Sequence, residues 1–397
     1  MARKGAQPSQ IDDLLTRGVE QIIVRESVAK KLSAGKPLRI KLGIDPTAPK
    51  LHLGHAIILR KMRQLQDLGH QIIFLVGDFT ARIGDPSEKE KARKPMTAQE
   101  IEANMHSYRE QAGLILNLKK TEFRYNSEWL NRMDFAELFD LLSLFSVQRM
   151  LERDMFQVRM KKNRPIWIHE LLYPVMQGYD SVALRADIEF GGTDQTFNLL
   201  SARVIQPHYD QEPQDVMTFQ LLEGLGGTEK MSMSLGNTIN LTDTPDEMYG
   251  KSMSIPDSLI LKYFRLCTDV SEQQIKQFES EMKKGANPKV YKEKLAQEIV
   301  TMYHGKAKAD KAQQEFQRVF SKEGIPEGII EYEMPYGINA TGAVAELFGE
   351  SKTGARQLIT QGSISVDGKP LKDPHASPPE GIYKKGRHFK KVRIKKP

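Results

Sequence analysis

The sequence predicts an α/β fold built on a parallel sheet, continued by a helical domain and ended by a small α+β module. Three observations carry that expectation: a strand–helix–strand pattern over residues 37–78, two capped helices after residue 270, and a turn signal followed by basic strands near the end. At 397 residues the chain exceeds what one hydrophobic core usually holds, so two or three domains are expected.

"PLRIKLGID" (37–45) reads as a buried strand, "LHLGHAIILRKMRQLQDLG" (51–69) as a helix closed by Gly69, and "QIIFLVGD" (71–78) as a second buried strand. Strands joined in this way lie parallel, with a right-handed crossover. Ligands of such sheets bind beyond the carboxyl ends of the strands, where Asp45, His52, His55, Asp78 and Asp85 fall. An insert from about 121 to 190 reads as helical. Within it "FAELFDLLSLFSVQRMLERDMF" (135–156) is apolar on more than one face, which fits a dimer interface or, nearly as well, a deeply buried core helix.

Residues 245–325 read as a helical domain. Ser271 caps "SEQQIKQFESEMKKG" and Gly285 ends it; Pro288 opens the next helix and Gly305 closes it. The Gly- and Pro-rich stretch 326–337 reads as a linker. Residues 338–397 give two short helices, around 341–348 and 352–361, a hairpin at Asp367-Gly368 and the final basic strands.

With 39% hydrophobic and 27% charged residues, the composition is that of an ordinary globular protein. No run reaches the length of a membrane span, and "MARKGAQPSQ" leads into no signal-peptide core, so a cytoplasmic address is expected. The single cysteine, Cys267, rules out an internal disulfide and a thiolate zinc site. The net charge of +7 is concentrated: "KKGRHFKKVRIKKP" holds eight Lys or Arg and no acid, leaving the other 383 residues at −1. Such a tail can be a solvated solubility device. Here "KVRIK" alternates with strand period, which puts its charges on one face and favours a polyanion partner, most simply RNA.

Two short stretches carry chemistry. "HLGH" (52–55) sets two imidazoles around Gly54 at a helix start. A histidine pair three apart can ligate a metal, can be satisfied by backbone in a core, or can face an anion. Position favours the anion, because the first N–H groups and the positive end of the helix dipole already attract phosphate. "EKMSMSLGN" (229–237) is a loop with one lysine and two serines, flanked by Gly226, Gly227 and Gly236; alone it would be ordinary surface.

Together, "HLGH" and "KMSMS" (230–234) resemble the paired signatures of class I aminoacyl-tRNA synthetases. "GIDPTAPKLHLGH", "IGDPS" (83–87), "LLYPVMQGYD" (171–180) and "GGTDQ" (191–195), in that order, resemble the tyrosyl branch. The last sixty residues resemble that family's RNA-binding appendage, of the alpha-L type shared with a ribosomal small-subunit protein.

The resemblance implies a Rossmann-like catalytic domain (1–228) whose helical insert makes a homodimer, a signature loop (229–244) and an anticodon-binding helical domain. It implies ATP, arriving with Mg2+, L-tyrosine and tRNA(Tyr) as substrates and partners, with no resident metal or tightly bound cofactor. His52, His55, Lys230 and Thr47 would stabilise the ATP phosphates. Asp45, Gly54, Gly192, Asp194, Ser232, Met233 and Ser234 would line the nucleotide site. Gly43, Asp85, Tyr173, Gln177 and Gln195 would surround the tyrosine, with Asp180 accepting its hydroxyl. Arg356, Lys384, Lys385, Arg387, Lys390, Lys391 and Arg393 would meet RNA, and eight clustered cations would make that binding strongly salt-dependent.

Two departures stand out. Lys41 occupies a position where many members of the family carry a tyrosine, and Met233 replaces the second signature lysine, for which Lys89 or Arg93 could substitute. Rival readings are an RNA-binding regulator on a retired catalytic domain and a small-molecule adenylyltransferase. Retention of both histidines and Lys230 speaks against the first, and the added helical and basic domains against the second.

Overall fold

In the computed structural model, which describes residues 8–86, 96–320, 329–386 and 388–395, the apolar runs become strands of a six-stranded sheet. Its strands are β1 (Val19–Ile23), β2 (Arg39–Ile44), β3 (Gln71–Val76), β4 (Thr121–Tyr125), β5 (Ile188–Gly192) and β6 (Asp215–Phe219), ordered β1-β6-β5-β2-β3-β4. All neighbours are parallel except β1 and β6. Such a sheet is covered on both faces, which is why β3 reads as a continuous apolar run. Ile72, Ile73 and Phe74 have no exposed surface, and each such side chain contributes about 1.5–3 kcal/mol of transfer free energy. From β2 the chain proceeds to β3 on one side and returns to β5 on the other, so the carboxyl ends of β2 and β5 flank a topological switch point.

The helix Leu53–Asp67 follows β2 and buries Ala56, Leu59, Met62 and Leu65. Gly69, with φ +92°, turns the chain into β3. The helix Ile168–Leu184 packs closely on Thr196–Ile205 because Gly178 stands between them: a Cβ there would lie 2.7 Å from Ile205 Cδ1 and 3.1 Å from the Ala202 nitrogen. This contact fixes the face carrying Tyr173, Gln177 and Asp180, spaced one turn apart. Helices Glu272–Lys283 and Pro288–His304 appear with their expected signals; the Ser271 side chain accepts from the Gln274 N–H.

The chain forms two compact units, Met1–Ala309 and Asp310–Pro397. The second contains β7 (Glu331–Met334), β8 (Ile364–Val366), β9 (Lys369–Pro370), β10 (Gly381–Lys385) and β11 (His388–Ile394), ordered β7-β11-β10-β8-β9. Helices Ala340–Phe348 and Lys352–Thr360 complete its core around Val344, Leu347, Ile359, Tyr383 and Val392. Asp367 and Gly368 both take positive φ in the tight β8–β9 hairpin, as expected.

Three expectations need correction. Residues 121–125, read as the start of the helical insert, form edge strand β4; its charges pair locally, Glu122 with Arg39 and Arg124. The helix expected over 135–156 is three pieces, Phe135–Ser143, Val147–Leu151 and Asp154–Lys161, because Ser146 caps a new start by accepting from the Arg149 N–H. Part of the expected linker is strand β7, parallel to β11: Met334 is buried, Tyr332 packs against the core, and Glu331 reaches Lys391 and Arg393.

Candidate active site

A cleft of about 300 Å³ opens over the carboxyl ends of β2 and β5. It is lined by Gly43, Asp45, Thr47, His52, Gly54, His55, Asp85, Tyr173, Gln177, Asp180, Gly192, Asp194, Gln195, Lys230, Ser232, Met233 and Ser234. Every catalytic, nucleotide and amino-acid candidate therefore meets in one place. Lys89, Arg93 and Arg387 lie outside the described residues.

The two signatures meet because the backbone after the lysine loop docks on the histidine turn. The Leu53 N–H donates to the Ile239 carbonyl at 3.0 Å, and the Leu241 N–H to the Leu51 carbonyl at 3.0 Å. Asp243 secures this segment by accepting from the Asn240 N–H (2.8 Å) and side-chain NH2 (3.2 Å) and from Lys251. Asn237 shapes the loop itself, accepting from the Ser232 N–H and donating to the Lys230 carbonyl.

The His52 and His55 rings lie against each other, tilted by 41°, with centroids 4.0 Å apart. Burial, then His55 and Lys230, hold His52 well below the usual imidazole range; burial and Lys230 lower His55 to about 4. Both rings are neutral at pH 7. His55 Nδ1 accepts from the His52 N–H at 3.2 Å, so its single ring proton is on Nε2, a donor available to a phosphate oxygen. Gly54 leaves room for the His52 ring, since a Cβ would lie 3.0 Å from its Cε1 and Nδ1. Across the cleft Lys230 pairs with Asp194 at 2.8 Å. Burial lowers the Lys230 ammonium to about 8, so it still carries its charge at neutral pH.

Asp180, also in the cleft, accepts from Trp129 Nε1 (2.8 Å) and Asn126 Nδ2 (3.3 Å). Burial raises it to about 7, opposed by Lys41 and those two donors. Asp78 holds this corner by accepting from the Ser127 N–H (3.0 Å) and hydroxyl (2.6 Å). Asp45 accepts from Tyr173 (2.9 Å) and Thr80 (2.8 Å), and Asp85 from Gln195 (2.6 Å). Sequence reasoning missed Trp129, Asn126, Asn237 and Glu189; only Glu189, a lone acid in an apolar strand, gave a signal. Among the described residues no group of three or more His, Cys, Asp or Glu is placed to hold a metal ion.

In the second unit Lys385 pairs with Glu350, and Lys391 (2.7 Å) and Arg393 (2.9 Å) with Glu331. Lys390 lies over the Tyr332 ring at 4.5 Å and Lys384 over Phe389 at 5.4 Å; Arg356 is exposed on the helix Lys352–Thr360. The cationic face expected of "KVRIK" thus also carries acids, and several of its charges are already partnered.

Residues 33–321 match the family described as tRNA synthetases class I (W and Y), and residues 343–376 match the S4 domain. A protein from Thermotoga maritima named tyrosine–tRNA ligase is 48% identical over 368 residues, 92% of each chain. One of the same name from Burkholderia mallei is 48% identical over 90% of this chain and 88% of its own. A truncated mitochondrial tyrosyl-tRNA synthetase from Aspergillus nidulans has the same fold, with TM-score 0.65 at 24% identity over 79% of this chain and 95% of that one. The tyrosyl-tRNA synthetase of Archaeoglobus fulgidus, solved with L-tyrosine, gives TM-score 0.61 at 24% identity over 77% of this chain and 99% of its own. With both signatures in one cleft and these relatives alongside it, the chain belongs to the class I tRNA synthetases of the tryptophan and tyrosine group.

Proposed function

We propose that the chain is a tyrosine–tRNA ligase. The observation that carries this reading is Asp180, a buried carboxylate lining the same cleft as the histidines and Lys230. A phenolic hydroxyl gives that carboxylate a donor. Phenylalanine brings no donor to add to those of Trp129 and Asn126, and an indole offers its N–H in a different place.

In the first step the tyrosine carboxylate oxygen attacks the α-phosphorus of ATP, and the bond to the β-phosphate bridging oxygen breaks to release pyrophosphate. In the second, a ribose hydroxyl of the terminal adenosine of tRNA attacks the tyrosyl carbonyl, and AMP leaves. No protein nucleophile is needed. The protein supplies position and charge: His52 and His55 donate to phosphate oxygens, Lys230 balances the departing pyrophosphate, and Thr47 adds a hydroxyl at the same turn. Asp194 and Gly192 meet the ribose, and Asp85, Tyr173 and Gln177 meet the α-ammonium.

The exposed apolar side chains of the insert, among them Phe135 (78% exposed) and Ile168 (80%), support a homodimer through that surface. The helices Pro245–Met253 to Pro288–His304 are assigned to the anticodon of tRNA(Tyr), and the S4 module to its variable arm. Among the described residues no helix is long and apolar enough to cross a membrane.

The direct test is ATP–pyrophosphate exchange with each of the twenty amino acids. Exchange should require tyrosine; exchange with none of them would favour the retired-enzyme reading, and exchange with tryptophan would reassign the pocket. Asp180 also sets a pH dependence. Because its folded pKa is raised to about 7, the charged acceptor is lost as pH falls from 8 to 6. Tyrosine affinity should weaken across that window, and Asp180→Asn should flatten the profile. By the same shift Asp180's contribution to stability is full below pH 4 and is lost as pH rises through about 7.

A further inference from the structure

Lys41 on β2 and Glu189 on β5 are direct partners in the parallel pair beneath the cleft. Their side chains are 0% and 1% exposed, and their charged ends are 2.9 Å apart. Lys41 also donates to Ser181 Oγ at 2.9 Å and to the Gln177 carbonyl at 3.2 Å. Glu189 accepts from Ser181 Oγ (3.0 Å), from Gln214 Nε2, and from Gln177 Nε2 (3.3 Å). A buried ion pair is a poor stabilising device, because desolvation offsets most of the attraction. Its partners point to another use.

An ionised carboxylate only accepts hydrogen bonds, so a glutamine facing it must turn its NH2 group that way. Gln177 Nε2 is thereby committed to the floor, which leaves the amide oxygen to the cleft that Gln177 lines. An amide oxygen is an acceptor for an ammonium group, whereas an NH2 in the same place would repel one. The orientation of Gln177 is therefore decided by what stands beneath it.

We propose that Glu189, paired with Lys41, is a positioning residue that fixes the Gln177 amide with its oxygen toward the α-ammonium of the amino acid. This rests on the reading of the cleft as a tyrosine site. It accounts for the lysine in β2, which the phenolic end of the pocket does not: Asp180 takes its hydrogen bonds from Trp129 and Asn126, and Lys41 acts on it only through charge.

The test compares two volume-matched double variants with the parent protein. Lys41→Met with Glu189→Gln removes both charges but retains an acceptor for Gln177 Nε2. Lys41→Met with Glu189→Met removes the acceptor as well. Dissociation constants are measured by calorimetry for tyrosine and for 3-(4-hydroxyphenyl)propionate, which has the same phenol and carboxylate but no ammonium. Loss of the Lys41 charge acts on both ligands alike, so the ratio of the two constants reports the ammonium end alone.

The preference for tyrosine should be retained within about threefold in the double variant carrying Glu189→Gln. It should fall by about tenfold or more in the one carrying Glu189→Met, the size of a hydrogen bond to a charged group. Equal loss of both ligands would mean a merely structural pair and would overturn the inference, as would an unchanged ratio. If a double variant does not fold, the parent protein still decides. The Gln177 side-chain NH2 resonance should be protected from exchange both with and without tyrosine, and free exchange in either state would sink the idea. A parent protein that binds neither ligand refutes the tyrosine reading itself; one that binds tyrosine but fails these tests refutes only the role of Glu189.

Discussion

Lys230→Ala is expected to slow formation of the adenylate by about 10²–10³-fold, the usual scale for removing one preorganised donor from a charge-developing transition state. Tyrosine affinity should stay within about twofold. The reason is geometric: Lys230 pairs with Asp194 on the cleft wall and is partly exposed, whereas Asp180 is buried and takes its hydrogen bonds from Trp129 and Asn126. In the resting protein its charge is balanced by Asp194, so ground-state binding gains little from it. Charge accumulating on the leaving pyrophosphate is what draws the ammonium away from that carboxylate, and an interaction realised only then appears in the rate and not in the dissociation constant. Single-turnover measurement of pyrophosphate release, with tyrosine binding measured separately, checks both halves. An unchanged forward rate would remove Lys230 from the mechanism.

Removing residues 321–397 should leave tyrosine-dependent exchange intact and reduce aminoacylation of tRNA by more than about 100-fold. All the residues that line the cleft belong to the first compact unit, and the cut leaves the helix Lys306–Phe320 whole. The S4 module supplies Arg356, Lys384 and Lys390 with no acid beside them in the described ion pairs, while Lys385, Lys391 and Arg393 are matched to Glu350 and Glu331. Each phosphate neutralised contributes about 0.9 to the logarithmic salt slope on duplex regions. The full-length chain should therefore show a slope shallower than eight unpaired cations would give. Normal charging by the truncated protein would falsify the assignment of the module.

Strands β2 and β3 were readable because their apolar runs leave one interpretation, and the cleft because two short signatures and four ordered motifs all point to one end of the sheet. Other features depend on tertiary neighbours that no local pattern reveals. Trp129 and Asn126 lie about fifty residues before Asp180 and reach it only because β4 pairs beside β3. Lys41 and Glu189 are each conspicuous as a charge within a greasy strand, yet their partnership follows from β5 returning beside β2, 148 residues later. The break at Ser146 was hidden by apolar residues on both sides. Strand β7 was hidden by the glycines and prolines around it, which read as a linker until β11 is seen to use it as an edge.

The lysine loop is fastened at both ends. Lys230 forms a bridge with Glu223, the Met231 N–H donates to the Leu222 carbonyl at 2.7 Å, and residues 239 and 241 are bonded to the histidine turn. What lies between is a short tether, and it holds the ammonium against Asp194 at the cleft. Ordering so short a segment forfeits little chain entropy. Rescue of a Lys230→Ala protein by free alkylamines should accordingly demand very high amine concentrations, because a diffusing cation must match one that is held permanently on station.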